Sequence, residues 1–152
     1  RVRRITFDGT ELAAEGVTVT VEPGATELTL LDETVAAAGD PHHEVLVARD
    51  ADGADAWWWY APDRDLQLPT PALVVTQREV TGGVELDIAS PVVVRELTIH
   101  PERVHPDARV DRQLVDLEPG VVERVTVTGV GIEAVSRLLV PPVCWSVATL
   151  LS

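Results

Sequence analysis

The sequence predicts an all-β protein of the antiparallel sandwich type. Three observations predict it. Apolar and polar residues alternate with a period of two in run after run, as in Val17-Thr18-Val19-Thr20-Val21 and Val84-Glu85-Leu86-Asp87-Ile88. Turn signals rich in Gly, Pro and Asp separate these runs at the short spacing of sandwich strands. No apolar stripe at helical period lasts long enough for a helix of ordinary length.

Taken in order, Val17–Val21 is the first clear strand. Glu22-Pro23-Gly24 ends it, because Pro presets φ and Gly accepts positive φ. Glu27–Leu31 resumes the alternation. Thr34–Ala38 reads as a short helix stopped at Gly39. Residues 45–49 and 55–60 form a hairpin across the polar turn Asp50-Ala51-Asp52-Gly53. Leu73–Val80 and Val84–Ser90 form a second hairpin across Thr81-Gly82-Gly83. Val92–Ile99 is the next strand, followed by a Pro/His/Asp/Arg loop over 100–112. Leu114–Leu117 leads to Glu118-Pro119-Gly120, and the alternation returns over Val121–Thr128. Ile132, Val135 and Leu139 share a helical stripe that Pro141-Pro142 ends. Val143–Leu150 is a strand or a docked tail.

Composition excludes several functions. The chain has 152 residues, 25 of them acidic and 12 basic, for a net charge of -13. Phosphate binding needs clustered cations, so neither nucleic acid nor an anionic membrane is expected as a partner. No apolar run approaches the roughly 18 residues of a membrane span. Every basic residue is Arg, since Lys is absent, and with no Asn there is no N-glycosylation site. Cys144 is alone and can form no internal disulfide, which fits a reducing, cytoplasmic setting. The sequence opens at Arg1 inside an apparent strand, so it is expected to be an excised piece of a longer protein.

Four of the six aromatic residues lie side by side, Trp57-Trp58-Trp59-Tyr60, and run into a charged, Pro-bracketed connector that ends at Pro69. A period of two puts Trp57 and Trp59 on one face and Trp58 and Tyr60 on the other. These four are the candidate site, as a domain interface or as a sugar contact. Flat aromatic faces stack on pyranose rings, but carbohydrate platforms interleave polar residues, so packing is the expected role.

Other chemistry finds no support. His42, His43, His100 and His105 do not form a structural zinc set, since the single thiol is Cys144. Asp40, Asp107 and Asp111 are ordinary loop carboxylates, and no metal or other cofactor is expected. The sequence has no Gly-x-Ser-x-Gly elbow, no phosphate-cradling Gly loop and no His-Glu-x-x-His helix. Cys144, between Val143 and Trp145, is expected to be a small buried hydrophobe.

Three motifs together resemble the C-terminal region of bacterial β-mannosidases of glycoside hydrolase family 2. The first is the aromatic strand Trp57–Tyr60, then Asp63-Arg64, then Asp65-Leu66-Gln67-Leu68-Pro69. The second is Val110-Asp111-Arg112-Gln113-Leu114-Val115-Asp116-Leu117-Glu118-Pro119-Gly120. The third is the tail Pro141-Pro142-Val143. The resemblance spans most of residues 42–152, and Arg112 departs from it where the family often has Asn. It implies immunoglobulin-like sandwiches: residues 1–62 as strands of an upstream, incomplete sandwich, 63–71 as a linker, and 72–152 as a C-terminal sandwich. The expected core of the last comprises Val74, Val84, Leu86, Ile88, Val94, Leu97, Ile99, Leu114, Leu117, Val125 and Val127.

In the resembled family the catalytic glutamates sit on an upstream barrel. The resemblance therefore implies a non-catalytic accessory piece whose partner is the catalytic barrel of the parent enzyme, with homodimerisation of the fragment as a second expectation. A free-standing carbohydrate- or protein-binding sandwich is the alternative.

Overall fold

A computed structural model describes residues 1–151. The chain is mostly β, in three antiparallel sheets with a few short helices. It divides into two compact units, Arg1–Gln67 and the residues from Leu68 on.

The first unit holds one sheet in the order β2-β1-β3-β4. Its strands are β1 (Val2–Thr6), β2 (Glu11–Glu15), β3 (Glu44–Arg49) and β4 (Asp55–Trp59). Asp50 builds the expected β3–β4 turn: its Oδ1 accepts from the Asp52 and Ala54 N–H groups, both at 2.9 Å. The pairings Val45↔Trp59 and Val47↔Trp57 put these side chains on one face, and Ile5↔Val45 extends that face onto β1. Ile5, Phe7, Val45 and Val47 are all buried.

The opposite face carries a buried ion pair. Glu44 Oε2 accepts from Arg4 at 2.5 Å, with the two side chains 7% and 14% exposed. Glu44 also accepts from Gly39 N–H at 3.1 Å and Asp40 N–H at 2.8 Å, while Arg4 donates to Thr34 O at 3.1 Å. Arg4 thereby fastens helix α1 (Glu33–Ala36), capped by the Asp32 carboxylate on Thr34 N–H at 2.8 Å. The Thr34 hydroxyl and N–H hold the Asp32 carboxyl below its usual range.

Two expected strands are not formed. Val17–Val21 and Glu27–Leu31 run without a ladder partner. Their turn is present, with Ala25 N–H donating to Glu22 O at 2.9 Å and Gly24 at φ +80°. The flanking backbone finds no adjacent strand, because alternation prepares a segment for pairing without supplying the pair. In contrast β2, Glu-Leu-Ala-Ala-Glu, has helix-favouring residues and no alternation, yet it pairs along β1 through a register shift between Arg4 and Ile5. Tertiary pairing here overrides local preference.

The second unit is a sandwich of two sheets, ordered β5-β6-β10-β8 and β11-β7-β9. These are β5 (Val74–Val80), β6 (Gly83–Ala89), β7 (Val94–Ile99), β8 (Arg109–Val110), β9 (Val115–Leu117), β10 (Glu123–Thr128) and β11 (Cys144–Trp145), with helices α2 (Val135–Leu138) and α3 (Val147–Leu151). Val84, Leu86, Ile88, Val125 and Val127 of the first sheet and Val94, Leu97, Ile99, Leu117 and Cys144 of the second meet in one core. The outer face of β6 is polar: Asp87 takes a two-pronged hydrogen bond from Arg124 at 2.7 and 3.2 Å, and Glu85 pairs with Arg78.

Two expected core residues are outside it. Val74 is 63% exposed, and Val75 pairs with Ile88 and turns inward instead. Leu114 is 55% exposed, because φ of +55° turns it out of β9 and leaves Val115 against the core. The Val143–Leu150 tail combines the two expected forms: β11 pairs with β7, and α3 docks against the same strand. Gly83 is required by a close approach. A Cβ there would lie 2.1 Å from Val127 O, so only glycine lets β6 and β10 meet at that pair.

Candidate functional site

The aromatic strand β4 is an edge of the first sheet, paired only with β3. Trp57 and Trp59 stack with ring centroids 5.8 Å apart and planes 11° from parallel. Phe7 continues the cluster, 6.0 Å from Trp59 and 6.4 Å from the His43 ring. Alternation along the strand brings Trp57 and Trp59 together, and the pairing with Val45 and Val47 keeps both half-buried. The Trp57 indole N–H is buried without a hydrogen-bond partner.

Trp58 points to the other face, opposite Leu46, and is 65% exposed. Tyr60 lies just past the end of β4, half-buried. Its hydroxyl is buried and unpartnered, and burial, with Glu44 adding to it, raises its pKa against the opposing pull of Arg4. The four candidate residues are thus split between a half-buried stacked pair, one outward ring and one half-buried phenol.

The motifs that carry the resemblance are occupied by structural hydrogen bonds. After β4 the connector turns at Asp63–Asp65 and folds back: the His42 ring donates to Asp65 O at 2.7 Å, Gln67 N–H donates to His42 O at 3.0 Å, and Leu66 is buried. In the second motif Asp111 accepts from Thr126 N–H at 2.9 Å. Gln113 takes both the N–H and the C=O of Ile99, at 3.3 and 2.8 Å. Asp116 accepts from Glu96 N–H at 2.8 Å. Gln113 at the end of β7 and Asp116 at its bulge, where Glu96 adopts φ +54°, serve as side-chain stand-ins for a strand.

The histidines are likewise tied to local partners. His43 donates to Asp40 at 2.7 Å, and the His42 N–H and the His43 ring hold the Asp40 carboxyl below its usual range. His100 pairs with Glu102 at 3.0 Å and stacks on Trp145, and His105 accepts from Asp107 N–H at 3.3 Å. Among the described residues no group of three or more His, Cys, Asp or Glu side chains is placed to hold a metal ion. Among the described residues no helix is long and apolar enough to cross a membrane.

Cys144 is buried in the sandwich core, and desolvation pushes its thiol up to about 11. A thiolate is disfavoured there until strongly alkaline pH. Iodoacetamide at pH 8 should therefore label the native protein far more slowly than the urea-unfolded chain, and the native rate should climb only as pH approaches 11. Labelling equal to that of the unfolded chain would contradict the burial. The sign for stability follows: the unfolded thiol ionises first, so this group leaves stability unchanged below pH 9, the ordinary thiol value, and lowers it between 9 and about 11.

Sequence reasoning missed two features. One is the Arg4–Glu44 hub, which joins residues 40 positions apart and leaves no local signal. The other is a cleft in the second unit that depends on β11 and α3.

No family model matches the chain, and no curated protein matches it. Among solved structures it is similar to the crystal structure of a β-D-mannosidase from Dictyoglomus thermophilum, with 17% identity and a TM-score of 0.67. The match covers 90% of this chain and 17% of that one, so the chain spans about a sixth of the length of its structural neighbour.

Proposed function

We propose that this chain is a non-catalytic, immunoglobulin-like accessory region of a β-mannosidase-like glycoside hydrolase of family 2, bracing a catalytic barrel that lies elsewhere in the parent enzyme. The observation that carries it is the likeness of nearly the whole chain to a small part of a β-D-mannosidase. Glycoside hydrolysis needs two carboxylates flanking the sugar, one held protonated. The side chains of the second motif instead serve the backbone, as Asp111 and Asp116 do. No catalytic residue is assigned to this chain.

On this reading the first unit is the later part of an upstream sandwich. The unpaired segment Val17–Val21 supports it, being a strand-like sequence without a strand beside it. Trp57 and Trp59 consolidate the end of that sandwich, and the folded-back connector leads to the next. The partner is the parent barrel, and Trp58 is the side chain of the four that is free to meet a neighbour.

The exposure of Trp58 favours one alternative, a carbohydrate-binding module that uses this ring. Glycan-array binding of the wild type and of Trp58→Ala separates the two. The accessory role predicts no glycan bound by either protein. Binding that is lost in Trp58→Ala would replace it with the binding-module role.

A further inference from the structure

The cleft of the second unit has a volume of about 510 Å³. Leu73, Val75, Leu97, Leu139, Pro141 and Trp145 give it apolar walls. It opens between two strands that end their sheets, β5 on one side and β11 on the other. A sheet-ending strand presents backbone N–H and C=O groups that another strand can take up. On β11 the Cys144 N–H is already used, donating to Val140 O at 3.0 Å, so β5 is the edge open to addition. Ser146 also lines the cleft; it is 1% exposed, and its hydroxyl has no hydrogen-bond partner. A small apolar molecule would cover the walls and leave the edge of β5 unpaired. An extended peptide with apolar side chains at every second position satisfies both.

The chain itself carries such a peptide. In Glu27-Leu28-Thr29-Leu30-Leu31 the leucines at 28 and 30 are each 86% exposed, more than any other large apolar side chain of the described residues. Two positions apart in extended backbone, they project to the same side. Among the described residues no strand pairs with this segment.

We propose that Glu27–Leu31 of one copy adds as a strand along β5 of a second copy, with Leu28 and Leu30 seated in the cleft. This is strand addition, with main-chain hydrogen bonds providing affinity and alternate side chains providing specificity. The contact joins different surfaces, and two such contacts, each copy lending its segment to the other, close a dimer. Each copy carries a net charge of -13, so salt should strengthen the association by screening the repulsion.

Light scattering on the purified chain at micromolar concentration, at low and high salt, reads the association. A photo-cross-linking residue at position 28 reads where the segment sits. The expected result is a dimer that tightens with salt. The double variant Leu28→Glu/Leu30→Glu, altered only at exposed positions, should weaken it about a hundredfold, near tenfold for each leucine withdrawn from the cleft. Cross-links from position 28 should land on residues 71–75 or 144–149 of the other copy. A wild type that stays monomeric at both salt levels, a dimer that survives the double variant, or cross-links elsewhere would overturn the proposal.

Discussion

Glu44→Ala should unfold the first unit and leave the second folded. Glu44 is buried and accepts three hydrogen bonds, from Arg4, Gly39 and Asp40. Its removal leaves the Arg4 guanidinium, 14% exposed, without its carboxylate, and two backbone N–H groups without their acceptor. Breaking a buried pair by deleting one partner costs about 3–5 kcal/mol. Whole domains hold only about 5–15 kcal/mol, and one built on a single four-stranded sheet sits toward the low end. Hydrogen exchange followed by mass spectrometry checks this peptide by peptide. Protection of β1, β3 and β4 should collapse in the variant while β6 and β10 keep theirs. Glu44→Gln, which retains an acceptor oxygen, should fall between. Protection in β1 and β3 unchanged in Glu44→Ala would show that the pair is not what holds α1 and the 37–43 loop to the sheet.

Leu86→Ala should do the corresponding damage to the second unit. Leu86 is fully buried at the middle of β6, paired with Val125 on β10 and Gln77 on β5. A buried leucine cut to alanine loses its transfer energy and leaves a cavity, about 3–5 kcal/mol in all. For a domain of this size that lowers the melting temperature by on the order of 10–40 °C. Urea and thermal unfolding monitored on the second unit measure it. Val74→Ala is the control. Val74 lies on the strand beside Leu86 and is 63% exposed, so its loss should stay within about 0.5 kcal/mol. Equal effects at the two positions would mean that the inward face of this sheet has been assigned wrongly.

That control marks how far alternation carries. In β6 the residues Val84, Leu86 and Ile88 alternate with Glu85 and Asp87, and the pattern alone picks out the buried face. At the start of β5 the sequence runs Leu73-Val74-Val75, with no polar residue to set the phase, and the inward valine is decided by pairing with β6. Leu114 shows a second limit. It sits in an apolar stretch, but a positive φ turns it outward, and no residue type there announces the turn. The segments at 17–21 and 27–31 show a third, since a strand needs a neighbour that the segment's own residues do not encode.

The candidate site was legible to the same degree. The period of two correctly separates Trp57 and Trp59 from Trp58, because β4 is a regular strand on a regular partner. Which face is covered depends on β1, β3 and Phe7, from far along the chain. The roles of Asp111, Gln113 and Asp116 were hidden for a related reason. Polar residues in a loop look alike in sequence, and only their backbone partners on β7 and β10 distinguish structural hydrogen bonds from chemistry.

In the proposed role this region supports a glycoside hydrolase and hydrolyses nothing itself. The most direct test is the release of p-nitrophenol from p-nitrophenyl β-mannoside by the pure chain at high protein concentration. A rate equal to buffer alone is expected. Turnover above buffer that disappears on replacing a single Asp or Glu would contradict it.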